Sequence, residues 1–172
     1  MRRVESAAVA IAAFAMAGSL GTATPAHASN FGVELNGTYR VLSNGEWARG
    51  NEDVLYDQQT VIETWTVSTD CVSPIECSGV VTSDRGWTGT VRLDDFWFVD
   101  HDVPNWLPCP DGTFAPGHQM FILKAIDPAT NEYSPKNVSL LMGRNQTKGP
   151  SGACGRNKPV VIEMPVRMEK LS

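Results

Sequence analysis

The chain has 172 residues, of which 42% are apolar and 19% are charged, with 14 Lys and Arg against 19 Asp and Glu. This length and composition fit one globular domain. They exclude collagen-like and coiled-coil proteins, and they argue against a chain that is disordered throughout.

The N-terminal segment has the features of an export signal. Arg2 and Arg3 precede an apolar run over residues 7–17, and Ala28 ends a motif of small residues typical of a cleavage site. This order predicts a secretory signal peptide over residues 1–28, with cleavage after Ala28. A membrane anchor is the less favoured interpretation, because the apolar run is shorter than the roughly 20 residues that a spanning helix needs.

The mature chain, residues 29–172, is more acidic than the whole. Loss of Arg2, Arg3 and Glu5 leaves 12 basic and 18 acidic residues, a net charge of −6. An anionic surface repels phosphate backbones and anionic lipid head groups, so nucleic acid and membrane surfaces are not expected partners. No later segment is apolar enough to span a bilayer.

The four cysteines all lie in the exported part and predict two disulfides, as an even number does in an oxidising compartment. Three connectivities are open. We favour Cys71–Cys77, since the five residues between them include Pro74 and allow a tight loop, and Cys109–Cys154 as the second bridge. A zinc site is disfavoured because no C-x-x-C pair is present.

Strand patterns separated by turn residues account for the rest of the chain. They fall, in order, at Thr38–Leu42, Val61–Thr69, Gly79–Thr82, Thr90–Leu93, Phe96–Val99, Gln119–Ile126, Ser139–Met142 and Val160–Glu169. Seven or eight short strands with turns between them predict a single all-β domain over residues 29–172, an antiparallel sandwich or barrel. The pattern does not distinguish sandwich from barrel.

The remaining segments carry weaker expectations. Residues 29–36 are expected to form a loose lead-in, and residues 46–59 a long connection. Pro165 interrupts the last strand pattern and, because it lacks an N–H, predicts an edge strand or a bulge there. Residues 100–118 hold four prolines and show no strand pattern, which indicates a long loop tied down by Cys109.

Several motifs together resemble a family of small exported mycobacterial β domains. They are Gly37-Thr38-Tyr39, Trp65 six residues before Cys71, the C-x5-C pair, Cys109-Pro110-Asp111-Gly112 followed by Gln119, and the distant Cys154. Similar segments occur in small secreted proteins and in the extracytoplasmic parts of some receptor-type serine/threonine kinases. The resemblance covers about residues 37–154 and implies an extracytoplasmic module without an established biochemical activity. It carries no signalling role over to this chain, which has no kinase domain.

Catalytic motifs are absent from the sequence. It contains no G-x-S-x-G elbow and no phosphate-binding G-x-x-x-x-G-K-[ST] loop. Four carboxylates flank an aromatic strand and suggest a calcium site or a glycosidase-like acid and base, although solvated turn residues are the simpler interpretation; these are Asp94, Asp95, Asp100 and Asp102. His101, between two of them, would have a raised pKa if it contacted their carboxylates.

Five tryptophans are many for this length, and two of them mark a candidate binding surface. Trp65 and Trp97 fit the core, whereas Trp87 and Trp106 lie near turn residues, where an aromatic ring is able to contact a partner. The candidate surface comprises Trp87, Asp100, His101, Asp102 and Trp106.

These observations predict a secreted or cell-surface, non-catalytic module without a cofactor. Its ligand would be a small molecule, a cell-envelope glycan or a protein. The alternatives are a secreted hydrolase that uses the four carboxylates, which should then face each other across a cleft, and a structural surface protein without a site.

Overall fold

In a computed structural model, which describes residues 30–172, the chain forms a closed antiparallel barrel. The predicted signal peptide lies outside the described residues. Each strand pairs with the next one along the chain, and the last pairs with the first. The eight strands of this part of the chain are β1 (Gly37–Ser43), β2 (Val61–Ser73), β3 (Glu76–Ser83), β4 (Thr88–Asp94), β5 (Phe96–Pro108), β6 (Phe114–Ala125), β7 (Leu140–Lys148) and β8 (Val161–Lys170).

The all-β prediction is therefore confirmed, and the barrel is the form adopted. Three single-turn 3₁₀ helices lie in the connections, at Gly45–Trp47, Asn51–Asp53 and Ala153–Gly155. We call the end with the β2–β3, β4–β5 and β6–β7 turns the lower end. The upper end carries the other connections.

The expectation for Pro165 is wrong, although β8 lies where the alternation predicts it. Pro165 pairs with Arg144 of β7 without a shift in register, and the closed barrel gives β8 two neighbours. The Pro165 carbonyl accepts a hydrogen bond from the backbone N–H of Asn44, one residue past the end of β1. The missing N–H of Pro165 thus falls where β1 has already ended, so the proline is tolerated.

The prediction of a long loop over residues 100–118 is also wrong, because β5 and β6 extend through most of this segment. A short turn joins them, closed by the backbone hydrogen bond from Cys109 to Thr113. The register of the two strands shifts between Val103 and Leu107. Such a bulge interrupts the ladder, so prolines inside it cost no strand hydrogen bond.

The segment before β1 is ordered against the barrel rather than loose. Val33 and Leu35 are buried in the core at the lower end. The Leu35 N–H donates to Thr69 Oγ1 of β2 at 2.9 Å. Two apolar side chains and this bond hold the lead-in across the lower opening.

Large side chains fill the middle of the barrel. Tyr39, Trp65 and Phe121 are fully buried, and the rings of Trp65 and Phe121 meet edge to face with centroids 4.7 Å apart. Such a T-shaped contact suits the charge distribution of aromatic rings. The two ends of the barrel are thereby separated by a packed centre.

The two disulfides have the expected connectivity. Cys71–Cys77 joins directly opposed residues of β2 and β3 at the lower end. Cys109–Cys154 ties the β5–β6 turn to the β7–β8 connection at the upper end. Residues 30–172 contain no helix that is long and apolar enough to cross a membrane.

Candidate binding site

The five residues predicted as a binding surface do not form one surface. Successive side chains of a strand point to opposite faces, so neighbours on β5 separate between the inside and the outside of the barrel. His101 is buried inside, whereas the side chains of Asp100 and Asp102 contact His118 on the outside. Trp87 turns inward beside His101, and Trp106 packs at the upper end.

Inside, the ring of Trp87 lies flat against that of His101. Their centroids are 3.8 Å apart and the planes differ by 3°. His101 Nε2 lies 2.7 Å from Gln119 Oε1, and the Gln119 amide donates in turn to Thr147 Oγ1 at 3.0 Å. The imidazole is therefore a member of a polar chain that crosses three strands.

A buried carboxyl group, missed in the sequence, anchors the other side of Trp87. Glu63 Oε2 accepts hydrogen bonds from Trp65 Nε1 at 3.2 Å, from Trp87 Nε1 at 2.8 Å and from the Ser83 hydroxyl. Glu63 lies two residues before Trp65 on β2, so the period-two pattern places both side chains on the inner face of the barrel.

These residues form a polar tier beneath the upper end, completed by Asn145 and Ser43. The Asn145 amide donates to Ser43 Oγ at 2.8 Å. Among residues 30–172, Asn145 Oδ1 is the single buried side-chain nitrogen or oxygen atom without a hydrogen-bond partner. Most polar side-chain atoms of the tier therefore find their hydrogen-bond partners within it.

Outside, His118 links the two aspartates of β5. His118 Nδ1 is 3.0 Å from Asp102 Oδ1, and Nε2 is 3.3 Å from Asp100 Oδ1. The hydrogen bond with Asp102 and the nearby Asp100 carboxylate raise the pKa of His118 above 6.5, against a smaller opposing effect of burial. The expected contact of His101 with the neighbouring carboxylates is not formed, because its Nδ1 lies 3.2 Å from the backbone carbonyl oxygen of Asp102.

The hydrolase alternative lacks the facing carboxylates that it requires. Asp94 and Asp95 lie at the β4–β5 turn of the lower end, where Asp94 is 3.8 Å from Arg92. Asp100 and Asp102 lie further along the outside of β5 and contact a histidine. Within the described part of the chain, no group of three or more His, Cys, Asp or Glu residues is arranged to hold a metal ion.

Trp106 packs against apolar residues at the upper end. Its ring packs against a small apolar cluster with Ala48, and it lies so close to Gly117 that a Cβ there would come within 2.8 Å of the ring. The glycine is needed for this close approach. Trp106 thus has a packing role in the structure.

A pocket of about 210 Å³ opens at the lower end, in a place that the sequence did not indicate. Its floor is apolar and consists of buried side chains of the barrel and the lead-in; these are Val33, Trp97, Leu123 and Ala125. Its rim comes from two turns and from β4, through Pro74, Ile75, Leu93, Tyr133 and Pro135.

Three charged residues border this pocket: Asp95, Lys124 and Lys136. The ammonium of Lys124 lies 4.3 Å from the centre of the Phe96 ring and 5.8 Å from that of Tyr133. The pocket therefore combines an apolar interior with charge at its opening.

No local motif could have revealed this pocket. Its lining residues come from the lead-in, from the β2–β3 and β4–β5 turns, from β4, β5 and β6, and from the β6–β7 connection. Only closure of the barrel brings these segments together.

No protein-family model and no curated protein matches the chain. Among solved structures, the chain is similar to the monomer form of the M. tuberculosis PknI sensor domain. The TM-score is 0.54 at 17% identity, and the match covers 80% of this chain and 87% of that one. At this identity the similarity shows the fold, and at that level it supports the resemblance stated from the sequence.

Proposed function

We propose that residues 29–172 form a secreted or cell-surface, non-catalytic module that binds a small apolar ligand in the lower-end pocket. The observation that carries this proposal is the pocket itself, an apolar recess in the mouth of a closed barrel. Mouths of barrels are common ligand sites, since the rigid wall holds the lining residues in place without ligand.

The floor of the pocket supplies the affinity. Trp97 and Leu123 are buried side chains that line the recess, so a bound alkyl group replaces water on an apolar surface. A ligand that buries ~150 Å² of its own apolar surface gains roughly 4 kcal/mol at ~25 cal/mol per Å². This gain opposes the loss of translational and rotational freedom that the ligand suffers on binding.

The predicted export signal, the two disulfides and the acidic balance support an extracellular setting. Disulfides persist in oxidising compartments, and both bridges brace the connections of the barrel. The fold similarity to a sensor domain agrees with a role in binding rather than in catalysis.

The proposal is tested by titration with a neutral fluorescent naphthylamine and its displacement by 1-octanol. Tyr133 lies on the rim and is 56% exposed, so Tyr133→Ala should leave folding intact and weaken binding by about fivefold. Tyr56→Ala is the matched control, because Tyr56 is 50% exposed in the β1–β2 connection.

A second variant fills the pocket from within. Ala125 is buried in the floor, so Ala125→Leu should abolish binding, whereas Ala115→Leu in the upper half of the barrel should not. Thermal unfolding shows whether each variant is folded. Equal affinity in Tyr133→Ala and Tyr56→Ala, or no binding by the unsubstituted chain, would overturn the proposal.

A further inference from the structure

We infer that the ligand is an anionic amphiphile, a short alkyl chain with one carboxylate or phosphate head, and that Lys124 and Lys136 bind the head. This inference rests on the proposed function and names the chemical class that the lower-end pocket takes. The shared chemistry is a negative group at the rim and an apolar chain in the recess.

The ammonium of Lys124 lies on the outside of β6, next to aromatic rings rather than a carboxylate, and one of these rings, Tyr133, belongs to the rim. Its ammonium lies 4.3 Å from the Phe96 ring centre and also faces Tyr133. A cation over a ring face is held there at modest energy and keeps its outer N–H groups available. The ammonium of Lys124 thus lies on the Tyr133 side of the pocket and keeps N–H groups free to donate to a head group at the rim.

The second lysine adds to this excess of positive charge. In residues 30–172 neither Lys124 nor Lys136 has a carboxylate oxygen within 4.0 Å of its ammonium, although the mature chain has 18 acidic residues to 12 basic ones. At the upper end, by contrast, Lys158 lies 3.4 Å from a Glu52 carboxylate oxygen. Two unpaired cations beside one apolar pocket are complementary to an anion with an apolar tail.

One negative group opposes this arrangement. Asp95 also borders the pocket, at the β4–β5 turn, so the rim has two positive charges and one negative charge. The net charge still favours an anion, and it predicts that removal of the Asp95 charge tightens binding.

The size of the recess sets the length of the chain. The volume of about 210 Å³ corresponds to roughly seven units of ~30 Å³, the space of one water in the liquid, and a methylene group is of similar size. With the head at the rim, an alkyl chain of about seven carbons fills the recess as far as Trp97 and Leu123. Octanoate, octyl phosphate, 1-octanol and octylamine are therefore the probes.

The experiment compares these four probes by displacement of the neutral naphthylamine. Octanoate or octyl phosphate should bind about tenfold more tightly than 1-octanol, and octylamine should bind more weakly. In the double variant Lys124→Met and Lys136→Met, which keeps apolar stems, the preference for the anion should disappear while the affinity for 1-octanol stays the same. Lys158→Met is the control and should change neither affinity, and Asp95→Asn should strengthen octanoate binding.

The outcomes separate this inference from the proposed function. Equal binding of octanoate, octyl phosphate and 1-octanol would overturn the anionic ligand and leave the apolar pocket standing. Binding of none of the four would overturn both. If the double variant fails to fold, the salt dependence decides, because a preference for the anion that does not fall with rising ionic strength contradicts the role of the lysines. The ratio of the two anionic affinities tells a carboxylate source from a phosphate source.

Discussion

Trp87 connects the two hydrogen-bond networks of the polar tier. One face of its ring lies flat on His101 at 3.8 Å, and its Nε1 donates to Glu63 Oε2 at 2.8 Å. A residue of the β3–β4 connection thereby links that connection to β2 and β5.

Two substitutions separate the ring of Trp87 from its N–H group. Trp87→Phe keeps an aromatic face for His101 but leaves the Glu63 carboxyl short of one donor, so the free energy of unfolding should fall by about 1 kcal/mol. Trp87→Ala also removes the stack and should cost about 3 kcal/mol. Urea unfolding measures both, and Trp47→Phe, at an exposed position, is the control. A Phe variant as unstable as the Ala variant would contradict the role given to the ring.

Replacement of Glu63 by an apolar residue should destabilise the barrel strongly. Glu63→Leu leaves the two indole N–H groups and the Ser83 hydroxyl without their acceptor, and we expect a loss of about 3 kcal/mol in urea unfolding. Glu132→Leu, at an exposed position, should stay within about 0.5 kcal/mol of the unsubstituted chain. Similar stability of the two variants would show that the buried carboxyl group is not an anchor.

The His118 cluster should make stability depend on pH. Its pKa is raised in the folded state by Asp102 and then Asp100, so its stabilising contribution is complete below the unfolded pKa of 6.5 and is lost as the pH rises through the folded pKa. The melting temperature of the unsubstituted chain minus that of His118→Gln, scanned from about pH 5.5 to about pH 9, should fall with rising pH. A difference that is flat or that grows with pH would contradict this assignment.

The two disulfides should contribute unequally to stability. The chain-entropy model gives about 4 kcal/mol for the long loop closed by Cys109–Cys154 and about 2 kcal/mol for the short loop of Cys71–Cys77. The variant with both Cys109 and Cys154 replaced by serine should therefore have the lowest melting temperature. The variant with Cys71 and Cys77 replaced should melt at a higher temperature, and the intact chain at the highest. Reductant should lower the melting temperature of the intact chain, and an unchanged transition would contradict both bridges.

The sequence predicted those strands whose alternation is unbroken. Val160–Glu169 was expected and β8 spans Val161–Lys170, because ten residues of period two leave little ambiguity. The strand prediction failed over residues 100–118, where Pro116 lies opposite the bulge of β5 and needs no ladder bond. Local pattern does not show that a missing bond falls in a gap.

The candidate site was less accessible to sequence reasoning than the fold. Alternation along β5 places His101 and its neighbouring aspartates on opposite faces, so these three residues are not able to share one surface. The lower-end pocket had no such signal. Pro74 and Tyr133 line the same pocket because the eight strands of residues 30–172 close into a barrel.

In the described part of the molecule, the packed centre of the barrel bounds the lower-end pocket on its inner side. Tyr39, Trp65 and Phe121 are fully buried in the core above the lower-end pocket, so a solute that enters past Tyr133 meets packed side chains at the bottom of the pocket. The solute is then expected to leave through the same opening at the lower end. Its residence time is then governed by the side chains around the opening, and loosening the far end of the barrel should leave that time unchanged.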